Sequence, residues 1–156
     1  MGLPVETDVF VCGLGPFGLM MANEFGKRGI RAVFIDLKST TAFNPQANAT
    51  QARSMEHYRR HGFAEEIRSM GMPADFPTDI AYFTRMSKYE LARFQLPAAR
   101  DARELIKGMS GSWSAAELPH RVSQKYVEQV LLKHARKYGS NALHFETRLV
   151  GFTDHG

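Results

Sequence analysis

The chain has 156 residues, 44% apolar and 23% charged, with a formal charge of +4 and a single cysteine. That length suits one ordinary hydrophobic core, no run reaches the roughly 18 apolar residues of a membrane helix, and one cysteine excludes an internal disulfide. The Lys and Arg are scattered among sixteen acids, so the concentrated basic footprint of a nucleic-acid binder is missing.

The segment Met1 to Thr7 carries Glu6 and no basic cluster leading into an apolar run, so it does not read as a secretory signal. Glu6 also stands where a myristoylation motif wants Ser or Thr. With Cys12 as the lone thiol, a reducing compartment is expected, and the cytoplasm is the natural one. Membrane and nucleic-acid partners are not expected.

Val9-Phe10-Val11-Cys12 runs without alternation and stops at glycine, as strands buried on both faces do. From Pro16 to Lys27, Phe17, Met20, Met21, Glu24 and Phe25 give a mostly apolar helical face, weakened by Gly26 and closed by Arg28-Gly29. Ala32-Val33-Phe34-Ile35 supplies a second buried strand ending in Asp36. Strand, helix, strand in so short a span implies a right-handed crossover and a parallel pair.

Further helices are expected over Thr50 to His61, stopped by Gly62, and over Ala64 to Met70. Beyond Pro73 and Pro77, the segments Ile80 to Thr84 and Glu90 to Leu96 read as an antiparallel pair. Pro97 to Pro119 is expected to be extended and irregular. Ser123 is expected to cap a helix through Tyr138, with Val127, Val130, Leu131 and His134 at helical spacing and Gly139 beyond its end. Leu143 to Thr147 and Leu149 to Phe152 read as strand material.

Gly13-Leu14-Gly15-Pro16-Phe17-Gly18 fits G-x-G-x-x-G directly after one strand and at the opening of the next helix. Gly13 permits the tight turn, Gly15 lets a diphosphate approach the backbone, and Gly18 lets the helix pack close to the strand. The helix start offers free N–H groups and partial positive charge to phosphates, and Pro16 in its first turn costs no needed donor. Asp36 stands eighteen residues beyond Gly18, near the spacing at which an acid accepts hydrogen bonds from an adenosine ribose and disfavours a phosphorylated one. The pattern predicts dinucleotide binding; the alternative is a ligand-free turn with Asp36 capping a loop.

Asp8 through Asp36 resembles the ADP-binding fingerprint of FAD-dependent oxidoreductases, with Gly-Pro-Phe-Gly in place of the frequent Gly-Pro-Ala-Gly. Asp36-Leu37-Lys38-Ser39-Thr40 and the run from Asn44 through Gln46 to Glu56 resemble phenol hydroxylases and related aromatic hydroxylases. Many relatives carry Arg, approaching the FAD phosphates, where this chain has Gln46; the phenol hydroxylase branch resembles this chain in having Gln. Pro119-His120-Arg121-Val122-Ser123-Gln124-Lys125-Tyr126-Val127-Glu128 is similar to the helix that brings Gln or Arg to the flavin side, with Gln124 at the matching position.

The resemblance implies an α/β fold: a Rossmann-like FAD-binding domain of the glutathione reductase type, with a parallel sheet and an inserted antiparallel strand pair. It implies FAD, with Gly13, Gly15, Pro16, Phe17, Gly18, Asp36, Leu37, Gln46 and Gln124 as cofactor-binding residues, and NAD(P)H as co-substrate. The implied function is the amino-terminal part of a flavoprotein monooxygenase that hydroxylates a phenolic or other aromatic ring with molecular oxygen through a flavin hydroperoxide. Residues 1–156 would be the first part of the FAD-binding domain, with 79–118 a strand pair and loop leading toward a substrate domain. The chain alone is expected to be inactive, and a homodimer is an alternative to a monomer for the complete enzyme. Other readings are a different FAD- or NAD(P)-dependent oxidoreductase and a non-catalytic dinucleotide-binding module. No catalytic residue is nominated.

Other features have bland expectations. His57 and His61 lie at i and i+4, but no Glu sits between them and Arg59 and Arg60 crowd the charge, so no metal site is expected. Cys12 is expected to be a buried, inert thiol. Ser110-Gly111-Ser112 reads as a flexible loop without the strand-to-helix elbow of hydrolases, and Trp113 as a docking or packing aromatic.

Overall fold

A computed structural model describes the chain except for residues 1–3, 5, 45, 87 and 111–114; the readings of Gly111, Ser112 and Trp113 lie outside the described residues. The elements are β1 (Val9–Cys12), α1 (Pro16–Arg28), β2 (Ala32–Ile35), β3 (Ala49–Thr50), α2 (Ala52–His61), α3 (Ala64–Ser69), β4 (Ile80–Phe83), β5 (Glu90–Phe94), α4 (Ala102–Gly108), β6 (His120–Arg121), α5 (Gln124–Ala135) and β7 (Asn141–His144). They divide into two compact units, residues 1–46 with 124–156, and residues 47–123.

The first unit is built on a parallel sheet in the order β1-β2-β7, with Val9 opposite Ala32 and Ala32 opposite Asn141. Hydrogen-bonded on both sides, β2 is buried throughout, and Phe34 is fully enclosed. Helices α1 and α5 pack together. Leu19 and Ala22 of α1 and Val130, Leu131 and Ala135 of α5 are almost wholly buried, the larger of these side chains each contributing roughly 1.5–3 kcal/mol by leaving water. Buried Asn23 joins the two helices, its Nδ2 donating to the carbonyls of Leu19 at 2.8 Å and Leu131 at 2.9 Å. Asn141 does the same for β7, donating to the Ala22 carbonyl at 2.8 Å.

α1 ends where expected, at Gly29 in the left-handed region (φ 69°), with Lys27 and Arg28 in its last turn facing the negative end of the helix dipole. Gly26 inside this helix has a packing reason: a Cβ there would lie 2.3 Å from the Tyr138 ring. The side chain is absent because an aromatic ring fills its space.

In the second unit, β3 and β6 pair antiparallel, with Thr50 opposite His120. α2 closes at Gly62 (φ 84°), and Met55, Tyr58, Phe63 and Ile67 form the buried cluster of α2 and α3, with the Tyr58 and Phe63 rings 5.6 Å apart. Arg68 donates to Glu117 at 2.6 Å and to the Leu118 carbonyl. β4 and β5 form the expected antiparallel pair, with an irregularity between Tyr82 and Phe83. Arg93 braces it, donating to Glu90 on its own strand and to Asp79 just before β4.

Several expectations are corrected. β1 is not buried on both faces: Phe10 is 46% exposed and Cys12 is exposed, not an enclosed thiol. Among the described residues β1 has one strand neighbour, so it lies at the sheet margin, whereas β2 has a strand on either side. The stretch from Pro97 to Pro119 contains α4, whose Ala-Arg-Glu-Leu-Ile-Lys run consists largely of strong helix formers. Thr50 pairs in β3, so α2 starts two residues later.

α5 ends at Ala135, well before Gly139, and the enclosed Ser123 hydroxyl makes no hydrogen bond, so it does not cap this helix. Leu149 to Phe152 is not a strand, and Leu149, Val150 and Phe152 are exposed; an apolar run becomes a strand only with a partner to pair with. At the expected strand from Leu143, β7 begins two residues earlier and ends at His144.

Overpacking at position 26 should destabilise the chain: Gly26→Ala is expected to cost about 1–3 kcal/mol, although alanine is the better helix former by about 1 kcal/mol. In a Tyr138→Ala background the same change should become stabilising, as urea titrations of the four forms would reveal. His120 is 2% exposed, and burial, reinforced by the Arg68 charge, holds its imidazole below the usual histidine pKa. The unfolded chain therefore takes up a proton that the fold refuses. Stability should be full above about pH 6.5 and fall as pH drops toward the folded pKa, by no more than about 1.4 kcal/mol per pH unit. Stability measured against pH should show this slope, and His120→Gln should flatten it.

Candidate functional site

The glycine turn leaves β1 and enters α1. The Gly13 N–H donates to the Ile35 carbonyl at 2.7 Å, hooking the turn onto the end of β2, and Gly13 has φ 118°, a conformation open to glycine. Gly15 is the N-cap of α1 with no side-chain cap, Pro16 follows at the helix start, and a Cβ on Gly15 would meet open space. Gly18 differs in kind: a Cβ there would stand 1.9 Å from the Gly13 carbonyl oxygen. The helix can pass this close to the turn because position 18 has no side chain. Leu14 is buried and Phe17 is 88% exposed.

Asp36 stands at the turn. Its Oδ2 accepts the Leu14 N–H at 2.7 Å and its Oδ1 the Lys38 N–H at 2.9 Å. Its backbone is fixed as well, N–H to the His144 carbonyl and carbonyl to the Thr147 N–H, both at 2.9 Å. Each carboxylate oxygen has a second lone pair, so the group can still accept from a ligand hydroxyl. An uncapped helix start beside a fixed carboxylate can take an anionic diphosphate at one and a sugar hydroxyl at the other.

A second polar cluster lies at the start of α5. Half-buried Gln124 donates through Nε2 to Glu128 Oε1 at 2.7 Å, and Glu128 Oε2 accepts the Ala42 N–H at 2.6 Å. Glu128 is 2% exposed. The structure thus brings Gly13, Gly15, Pro16, Gly18 and Asp36 around one turn and places Gln124 in this second cluster. Leu37 and Gln46 are exposed in the loop after β2.

Sequence reasoning missed two participants, the Leu14 backbone amide and the Glu128 carboxylate. Glu128 did leave a signal: it lies at i+4 from Gln124 and directly beside Val127 on the buried side of the helix, where an acid is out of place without partners. The histidines of α2 have partners of their own: His57 Nδ1 is 3.2 Å from Arg60 Nη2, and the His61 ring stacks on Phe63. Among the described residues no group of three or more His, Cys, Asp and Glu could hold a metal, and no helix is long and apolar enough to cross a membrane.

The chain is similar to known proteins in sequence and in fold. Residues 6–156 match the family model described as FAD binding domain. The FAD-dependent monooxygenase apdD of Emericella nidulans is 30% identical over 131 residues, 81% of this chain and 21% of that protein. The 2,4-dichlorophenol 6-monooxygenase of Cupriavidus pinatubonensis is 29% identical over 151 residues, 97% of this chain and 24% of that protein. A solved aklavinone-11 hydroxylase in ternary complex with FAD and aklavinone superposes with a TM-score of 0.80 at 25% identity, covering 99% of this chain and 28% of that one. The chain therefore spans about a quarter of the length of the relatives it matches. With a parallel sheet, antiparallel strand pairs and a family match over nearly its whole length, the chain belongs to the family described as FAD binding domain.

Proposed function

We propose that the chain grips FAD within a monooxygenase that hydroxylates a phenolic or other aromatic ring, with NAD(P)H and molecular oxygen as co-substrates, in the cytoplasm. The observation that carries this reading is the 2.7 Å hydrogen bond from the Leu14 N–H to the Asp36 carboxylate. It sets an acid beside a glycine turn at a helix start, the pairing that an ADP moiety requires. Two further observations support the fit: Gly15 opens onto free space, and α1 begins with no side chain occupying its N–H groups.

In this reading Gly13, Gly15, Pro16, Phe17 and Gly18 surround the diphosphate, and Asp36 with Leu37 holds the adenosine ribose. Gln46 stands at the phosphates, and Gln124 serves the flavin side. Gln46 brings no positive charge to the phosphates, so the backbone amides and the helix dipole carry that attraction. Bound FAD would supply the redox chemistry that links a nicotinamide, oxygen and the aromatic ring. The residues of this chain bind and orient it. Residues 79–118 lead toward the part of the protein that meets the substrate. Names of relatives such as 2,4-dichlorophenol 6-monooxygenase support a phenolic substrate.

The test is reconstitution of the full polypeptide that carries this chain. Flavin absorbance after FAD addition and phenol-stimulated NAD(P)H oxidation are expected; binding of nicotinamide without flavin would point to a dehydrogenase, and tight FAD binding without NAD(P)H oxidation to a non-catalytic module. Asp36→Lys should weaken ADP binding by roughly ten- to a hundredfold, the worth of a hydrogen bond to a charged group, while FMN binding changes little. Titration calorimetry with the two ligands separates these effects. Gly18→Ala must shift the turn because its methyl would overlap the Gly13 carbonyl, so it should lower ADP affinity at least about tenfold even with Asp36 intact.

A further inference from the structure

Glu128 is a buried carboxylate whose oxygens each accept an N–H, one from Gln124 Nε2 at 2.7 Å and one from the Ala42 backbone at 2.6 Å. Burying a charge is costly unless it is hydrogen-bonded, and this one joins the loop after β2 to the start of α5. Its effect on Gln124 is specific. A primary amide can turn either end toward a neighbour, but here both oxygens of Glu128 act as acceptors. Glu128 therefore takes the NH2 end of Gln124 and leaves the carbonyl oxygen as the end the amide can present elsewhere.

We propose that Glu128 is a positioning residue that fixes the polarity of Gln124, so that Gln124 offers a hydrogen-bond acceptor to the hydroxyl-rich ribityl chain of FAD. This rests on the FAD reading above and deepens it. The same carboxylate, through Ala42, holds the loop that carries Leu37 and Gln46. The adenosine half, gripped at the glycine turn and Asp36, does not depend on the Gln124 amide.

Glu128→Gln tests the polarity directly. The replacement amide would accept the Ala42 N–H with its oxygen and turn its own NH2 toward Gln124, which must flip to accept it. The oxygen of Gln124 then points at position 128 and its NH2 faces outward. In the full polypeptide carrying this chain, stripped of flavin, Glu128→Gln should leave ADP affinity within about twofold and lower FAD affinity about tenfold, the worth of one hydrogen bond. The swapped pair Gln124→Glu with Glu128→Gln restores an acceptor at position 124 and should recover most of the loss.

If the single variant weakens ADP and FAD alike, or neither, or if the swap recovers nothing, the inference is overturned while the ADP reading stands. If the wild-type protein binds no ADP, the reading beneath it falls and takes this inference with it. Should Glu128→Gln fail to fold, Gln124→Ala decides: an FAD affinity lowered about tenfold at constant ADP affinity supports the role, and an unchanged ratio overturns it.

Discussion

The hydrogen bond between the Leu14 amide and the Asp36 carboxylate ties the turn after β1 to the chain leaving β2. β1 and β2 are held side by side by their ladder, but nothing in a ladder dictates how the chain bends once it leaves the sheet. The Asp36 side chain reaches back to the turn between β1 and α1, and the Gly13 amide reaches across to the Ile35 carbonyl. Turn and strand end thus have one geometry before any ligand arrives. Such preorganisation lowers the ordering cost that binding would otherwise bear.

Among the described residues three glycines matter through the volume they leave empty. Position 18 admits the carbonyl of Gly13, position 26 the ring of Tyr138, and position 71 the imidazole of His120, whose Nε2 lies 2.2 Å from where a Cβ would be built. Each lets two parts of one unit approach to a separation that a methyl group would forbid. The second unit uses the resulting contact to hold His120 between Gly71 and the Arg68 carbonyl, which its Nε2 meets at 3.1 Å.

What was legible in the sequence was local. The β1, α1 and β2 ranges follow from an uninterrupted apolar run, a glycine-rich opening and a left-handed glycine stop, all decided within a few residues of each other. Asp36 could be placed at the turn because the crossover leaves few ways to bring a second strand beside the first. The rest depends on distant partners. Whether Phe10 and Cys12 are covered is settled by what lies beside β1, and whether Leu149 to Phe152 makes a strand by whether another strand is there to pair with. Glu128 gained its meaning from Ala42, 86 residues earlier, and no spacing rule links them. α4 is masked for a different reason: its short run of good helix formers lies between prolines at 97 and 119 and a glycine-containing stretch after Met109, all of which signal irregular chain.

The sulfur at the last position of β1 is exposed, and β1 forms a margin of the sheet among the described residues. Two copies of the chain meeting along that margin in aerated buffer could become covalently linked through their only thiols, giving a pair that a reductant would separate. Preparations kept without reductant would therefore contain a linked population whose size grows with protein concentration and age. The same accessibility makes Cys12 a convenient point for attaching a fluorophore, close in sequence to the turn at Gly13 and sensitive to whatever comes to cover that edge.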